Sequence, residues 1–118
     1  MAKPTKCVSV EEARKLQDNW VATRSTHIQR AEGSEDCREF VYSVKELEEY
    51  LDYVKEESTK QGIDAPGIRI YFGAYTTEKS DKATIFLAPT EGGATEDDNN
   101  YNIDPFNFGT GGWPPKTY

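Results

Sequence analysis

Gly67-Ile68-Arg69-Ile70-Tyr71-Phe72-Gly73-Ala74-Tyr75, followed after a polar interruption by Ala83-Thr84-Ile85-Phe86-Leu87-Ala88, is the stretch on which the fold turns. In the first run Ile68, Ile70, Phe72 and Ala74 alternate with Arg69, Tyr71, Gly73 and Tyr75, the two-residue period of a strand with one apolar face. The second run is rich in strand formers and is closed by Pro89, which cannot donate to a ladder. Thr76 to Lys82 between them is polar, so the two runs predict an antiparallel hairpin. Asp64-Ala65-Pro66-Gly67 supplies the turn that leads into it.

Upstream, Ser43 and Glu46 have the spacing of a capping box, and Leu47, Tyr50, Leu51 and Val54 then share one face. They predict a helix over residues 44–61 that stops at Gly62, with Glu46, Glu48, Glu49, Asp52, Glu56 and Glu57 around the rest of its circumference. Ser9 and Glu12 repeat the capping pattern. The stripe Val10, Ala13, Leu16 and Trp20 behind them predicts a first helix over residues 10–24, with Thr23, His27 and Ile28 fitting the stripe more loosely. Residues 31–36 read as a loop, and a short strand is expected over 38–42. After Thr90 the chain turns to Gly, Asp and Asn and then to a Pro- and aromatic-rich segment that fits neither a helix nor a long strand. The expected class is α+β: a small antiparallel sheet covered on one face by two helices, with an irregular Gly/Pro/aromatic C-terminal tail. One domain spans residues 1–118, as an N-terminal arm (1–8), a core (9–89) and the tail (90–118).

Composition narrows the function classes. The 118 residues carry 14 Lys and Arg against 21 Asp and Glu, a net charge of -7 that opposes attraction to nucleic acid or anionic lipid. Neither a signal-peptide core nor a membrane-length apolar run is read in the chain, so a cytoplasmic location is expected. Cys7 and Cys37 have no metal-ligand or redox spacing, and two reduced thiols are expected. His27, the single histidine, has no identifiable nucleophile beside it, so no catalytic residue is assigned.

Three groups of residues remain as candidates. Arg69, Tyr71 and Tyr75 share a strand face, where a guanidinium beside two phenols can hold a carboxylate or planar ligand, or where the tyrosines simply cover the arginine stem. Asp98, Asn100, Asn102 and Asp104 imitate the first half of a calcium loop, but Ile103 occupies the place of its glycine and Gly109 that of its closing glutamate; a polar linker is the better reading. Phe106, Phe108, Trp113 and Tyr118 are large anchors in a segment that prolines stiffen, fit to dock on the domain's own sheet or on a partner.

Phe40-Val41-Tyr42-Ser43-Val44-Lys45-Glu46-Leu47, the Gly67 to Tyr75 strand and Gly109-Thr110-Gly111-Gly112-Trp113-Pro114-Pro115 together resemble a group of small bacterial proteins of unassigned function. The resemblance implies a bacterial, cytoplasmic protein and no particular reaction, cofactor or ligand. The functional expectation is a non-enzymatic module that binds a protein partner or itself through the tail and the acidic helix. The alternative is a small-molecule-binding domain or minor enzyme built around Arg69, Tyr71 and Tyr75.

Overall fold

The computed structural model describes residues 2–76, 80–107, 109–113 and 115–118, with the side chain of Thr110 left aside. The architecture is α+β, in the order α1 (Val10–Trp20), a π-helical turn (Val21–Ser25), α2 (Thr26–Glu32), β1 (Phe40–Val41), α3 (Val44–Lys60), β2 (Gly67–Ala74), β3 (Ala83–Thr90) and β4 (Thr110–Gly111). The hairpin forms as the alternation predicts: β2 and β3 pair antiparallel from Gly67↔Thr90 to Ala74↔Ala83. Beyond it the tail runs along the other side of β3. Leu87 and Phe106 exchange both main-chain hydrogen bonds, at 2.8 and 2.9 Å, and the Asn100 N–H donates to the Pro89 carbonyl at 2.9 Å. A second, two-stranded sheet joins β1 to β4, with Phe40 opposite Gly111.

α3 is built as its sequence dictates. The Ser43 hydroxyl accepts from the Glu46 N–H at 3.0 Å, the Glu46 carboxylate accepts from the Ser43 N–H, and Gly62 lies past the helix end at φ 76°. Its inner face meets Leu87 of β3 and Ile103 of the tail, so Tyr50, Val54, Leu87 and Ile103 form the core, with Tyr42, Leu47, Ile68, Ile85 and Phe106 packed around it. The Tyr50 ring stacks on Phe106 at 4.5 Å and its hydroxyl donates to the Asp104 carbonyl at 2.9 Å, which ties helix, strand and tail together.

The first helix departs from expectation. It does not end near Arg24 but continues through the π turn to Glu32, where Gly33 at φ 81° stops it, so the predicted loop starts later than Ala31. The π turn inserts an extra residue and rotates the helix beyond it, returning Ile28 rather than His27 to the stripe of Leu16 and Trp20. His27 is exposed and Ile28 half-buried accordingly. The strand expected over 38–42 contracts to Phe40 and Val41, because its partner β4 is itself only two residues long. None of the described helices is long and apolar enough to cross a membrane.

Burial pushes the Tyr50 phenol up to about 12, with Tyr53 and Asp104 adding to the effect. The neutral phenol is the form the fold favours. Its contribution is therefore whole below the unfolded value of 10.0 and is lost as pH rises toward about 12. Tyr50→Phe is expected to lower stability by about 1–2 kcal/mol in urea titrations at pH 7. That difference should shrink between pH 10 and 12, as the wild-type phenol ionises.

Candidate functional site

Both helical arms lie on the sheet face that carries Ile68, Ile70, Phe72, Ile85 and Leu87, but they cover it unequally. α3 seals the part over β3 and the tail. α1 touches the β2 side through Trp20, whose ring stacks on Phe72 at 6.5 Å, and no residue of α1, the π turn or α2 is buried. Between the first helical arm and the sheet lies a groove of about 590 Å³, lined mainly by Leu16, Trp20, Ile28, Phe40, Phe72 and Ile85. Phe72 is 83% exposed, Leu16 64% and Ile70 63%. An amphipathic helix gains most of its stability by burying its stripe, so a helical arm with nothing buried is an incomplete interface.

Asp36, Cys37 and Arg38 are among the polar residues that edge this groove. Asp36 is committed to the fold: its Oδ1 accepts from the N–H groups of Cys37 and Ala83, both at 2.7 Å. Burial, reinforced by Asp36, pushes the Cys37 thiol up, which makes it a poor nucleophile. Arg38 differs, since its Nε is buried and has no hydrogen-bond partner among the described residues.

The residues singled out from sequence fall into separate neighbourhoods. Arg69 Nη1 donates to Asn99 Oδ1 at 2.7 Å, and Nη2 donates to the carbonyls of Thr95 and Asp97 at 2.8 and 3.0 Å. Asn99 in turn donates to the Tyr71 hydroxyl at 2.9 Å, while the Tyr71 ring stacks on Phe86 at 5.1 Å. Tyr75 is not part of this group; its hydroxyl donates to Asn107 Oδ1 at 2.9 Å. The guanidinium fork thus clamps the loop after β3. Beside it Tyr71 and Phe86 line a smaller hollow of about 300 Å³, walled by Asn99, Tyr101 and Pro105.

Of Asp98, Asn100, Asn102 and Asp104, Asn100 is engaged within the fold. It is buried, donates to Gln61 Oε1 at 2.8 Å and accepts from the Asn102 N–H at 3.0 Å. No cluster of three acidic, His or Cys side chains suited to a metal ion occurs among the described residues.

Of the aromatic anchors, Phe106 belongs to the periphery of the core, against Tyr50 and Tyr42, and Phe108 lies outside the described residues. Trp113 is 51% exposed with Lys82 Nζ 4.4 Å from its ring centroid, and Tyr118 is 59% exposed with its N–H donating to Gln17 Oε1 at 2.6 Å. The tail is therefore held in cis, and its end returns to the rim of the groove. Gly109 permits this path, since a Cβ there would fall 2.7 Å from the Tyr42 ring. The groove itself could have been suspected from the apolar stripe of the first helix, but its lining depends on the π turn.

No family model matches the chain, and no curated protein or solved structure matches it either.

Arg69→Ala is expected to destabilise the protein by about 1.5–3 kcal/mol, because it leaves Asn99 and two carbonyls without a charged donor. Arg69→Lys should rescue little, as one ammonium cannot reproduce the fork. Chemical denaturation together with amide exchange across residues 94–99 checks both outcomes.

Proposed function

We propose that this chain is a non-enzymatic, cytoplasmic binding module whose fold is completed by another protein surface, either a partner or a second copy. The observation that carries this reading is its accessible surface of 9102 Å². A compact monomer of this size exposes about 6,500 Å². The radius of gyration, 16.5 Å, likewise exceeds the roughly 13.5 Å of a compact chain of this length. The excess, about 2,600 Å², is of the order that one chain of an obligate complex buries.

The location of the excess agrees with this. The groove residues Leu16 and Phe72, and Ile70 beside them on the same strand face, are more than half exposed, and Trp113 and Tyr118 add aromatic surface on the tail. Isolated apolar side chains on a surface are ordinary, but a contiguous groove between a helix and a sheet marks an interaction site. A docked surface that presents an acceptor would also satisfy Arg38 Nε. The acidic circumference of α3 keeps the free chain soluble. The alternative site at Arg69 and Tyr71 has less support, because their polar atoms are already engaged within the chain.

A fold completed by association becomes more heat-resistant as protein concentration rises. Leu16→Ser, in the groove lining and 64% exposed, should leave the stability of a dilute sample unchanged to within about 0.5 kcal/mol, as is usual for surface changes. In concentrated protein, or with the partner present, it should abolish the stabilisation. Calorimetry across a concentration series, supplemented by candidate partners, reads this out; a wild-type melting temperature that none of these additions moves contradicts the proposal.

A further inference from the structure

The main chain of β2 identifies an edge. The N–H and C=O of Leu87 both point to Phe106, and the Pro89 carbonyl points to Asn100, so the odd-numbered residues of β3 face the tail. Their partners on β2 in the register are Ile68 (opposite Pro89), Ile70 (opposite Leu87) and Phe72 (opposite Ile85). In an antiparallel ladder, opposite residues that do not bond each other turn their N–H and C=O groups outward. Ile68, Ile70 and Phe72 therefore present their main-chain groups away from β3, and none of these groups bonds to another main-chain group among the described residues. Arg69, Tyr71 and Gly73 point inward to β3.

Natural sheets protect such edges with prolines, lysines, bulges or a covering segment. β2 has no bulge in its pairing and contains neither Pro nor Lys. Its one charge, Arg69, is tied to the loop after β3. The residues with free main-chain groups are also those of the apolar face, with Ile70 and Phe72 largely exposed.

We infer that the occupant of this edge is β2 of a second copy, paired antiparallel about a two-fold axis at Ile70, so that the two hairpins form one continuous sheet. This rests on the binding-module reading and names its partner. Three observations select a second copy. The strand is self-complementary: the axis sets Ile70 opposite Ile70 and Ile68 opposite Phe72 on the groove face, and Arg69 opposite Tyr71 on the other. Outward residues then meet outward residues, so every free N–H in the run finds a C=O. In a chain of net charge -7, Gly67 to Ala74 holds no acidic residue, so two copies can meet along this edge without setting carboxylate against carboxylate in the strand. Finally, the surplus of about 2,600 Å² exceeds the roughly 800 Å² per partner of a standard interface, which leaves room for the adjoining grooves to be covered across the axis.

The test is the mass of the full-length chain in solution, by sedimentation equilibrium. The wild type should be a dimer that strengthens with added salt, as screening relieves the repulsion between two acidic copies. Ile70→Pro removes an outward N–H and none from the β2–β3 ladder, so it should yield a folded monomer with an unchanged circular dichroism spectrum. Because proline can disturb the strand, a charge pair supplies the second arm. Ile70→Lys and Ile70→Glu should each be monomeric alone and form a heterodimer when mixed, since the axis sets the two side chains against each other. A dimer that survives Ile70→Pro, or a Lys/Glu mixture that stays monomeric beside a dimeric wild type, overturns this interface and leaves the binding-module reading in place. A wild type monomeric at every concentration overturns the self-association. The binding-module reading then stands or falls on whether a protein partner raises the melting temperature.

Discussion

Leu87 and Phe106 exchange two main-chain hydrogen bonds, and the rest of the molecule is arranged around that exchange. It assigns one side of β3 to the tail and the other to β2. It brings Ile103 and Phe106 under α3, where Tyr50 locks them through ring stacking and a hydroxyl bond to Asp104. It also leaves β2 as the outermost strand. A chain with so few buried side chains has little apolar burial to offset its conformational entropy, so the covered end of the sheet contributes most of the stability and the open end contributes surface.

The tail thereby has a structural role before any other. By supplying the neighbour of β3 and the core residue Ile103 it serves as a third strand, although only β4 is long enough to count as regular structure. After Phe106 the tail crosses to β1 and returns to α1 through the bond between the Tyr118 N–H and Gln17. The helical arm is thus held at its rim, near Gln17, and by the Trp20–Phe72 stack, with the groove between.

Much of this was legible in the sequence, for local reasons. The hairpin follows from strict alternation across Gly67 to Tyr75, and α3 from its capping box and Gly62, because each signal lies within a few residues of its effect. What sequence could not show depended on contacts distant along the chain. Alternation left Arg69 either to hold a ligand or to lie with its stem under the tyrosines, whereas Thr95, Asp97 and Asn99 fold back to take its donors. Alternation grouped Tyr75 with Arg69, whereas Asn107 draws its hydroxyl elsewhere. The π turn leaves no signature that periodicity detects, yet it decides that Ile28 and not His27 lines the groove. The alternation also showed an apolar face without showing that only the β3 half would be covered.

Whether the outward main chain of β2 is a binding edge or idle surface is tested most directly by amide hydrogen exchange resolved to single residues. For a binding edge, the N–H groups of Ile68, Ile70 and Phe72 should exchange slowly in concentrated protein. On dilution they should speed up while those of Arg69, Tyr71 and Gly73, bonded within the hairpin, stay protected. Fast exchange at Ile68, Ile70 and Phe72 at every concentration, beside protected neighbours, would contradict the binding edge.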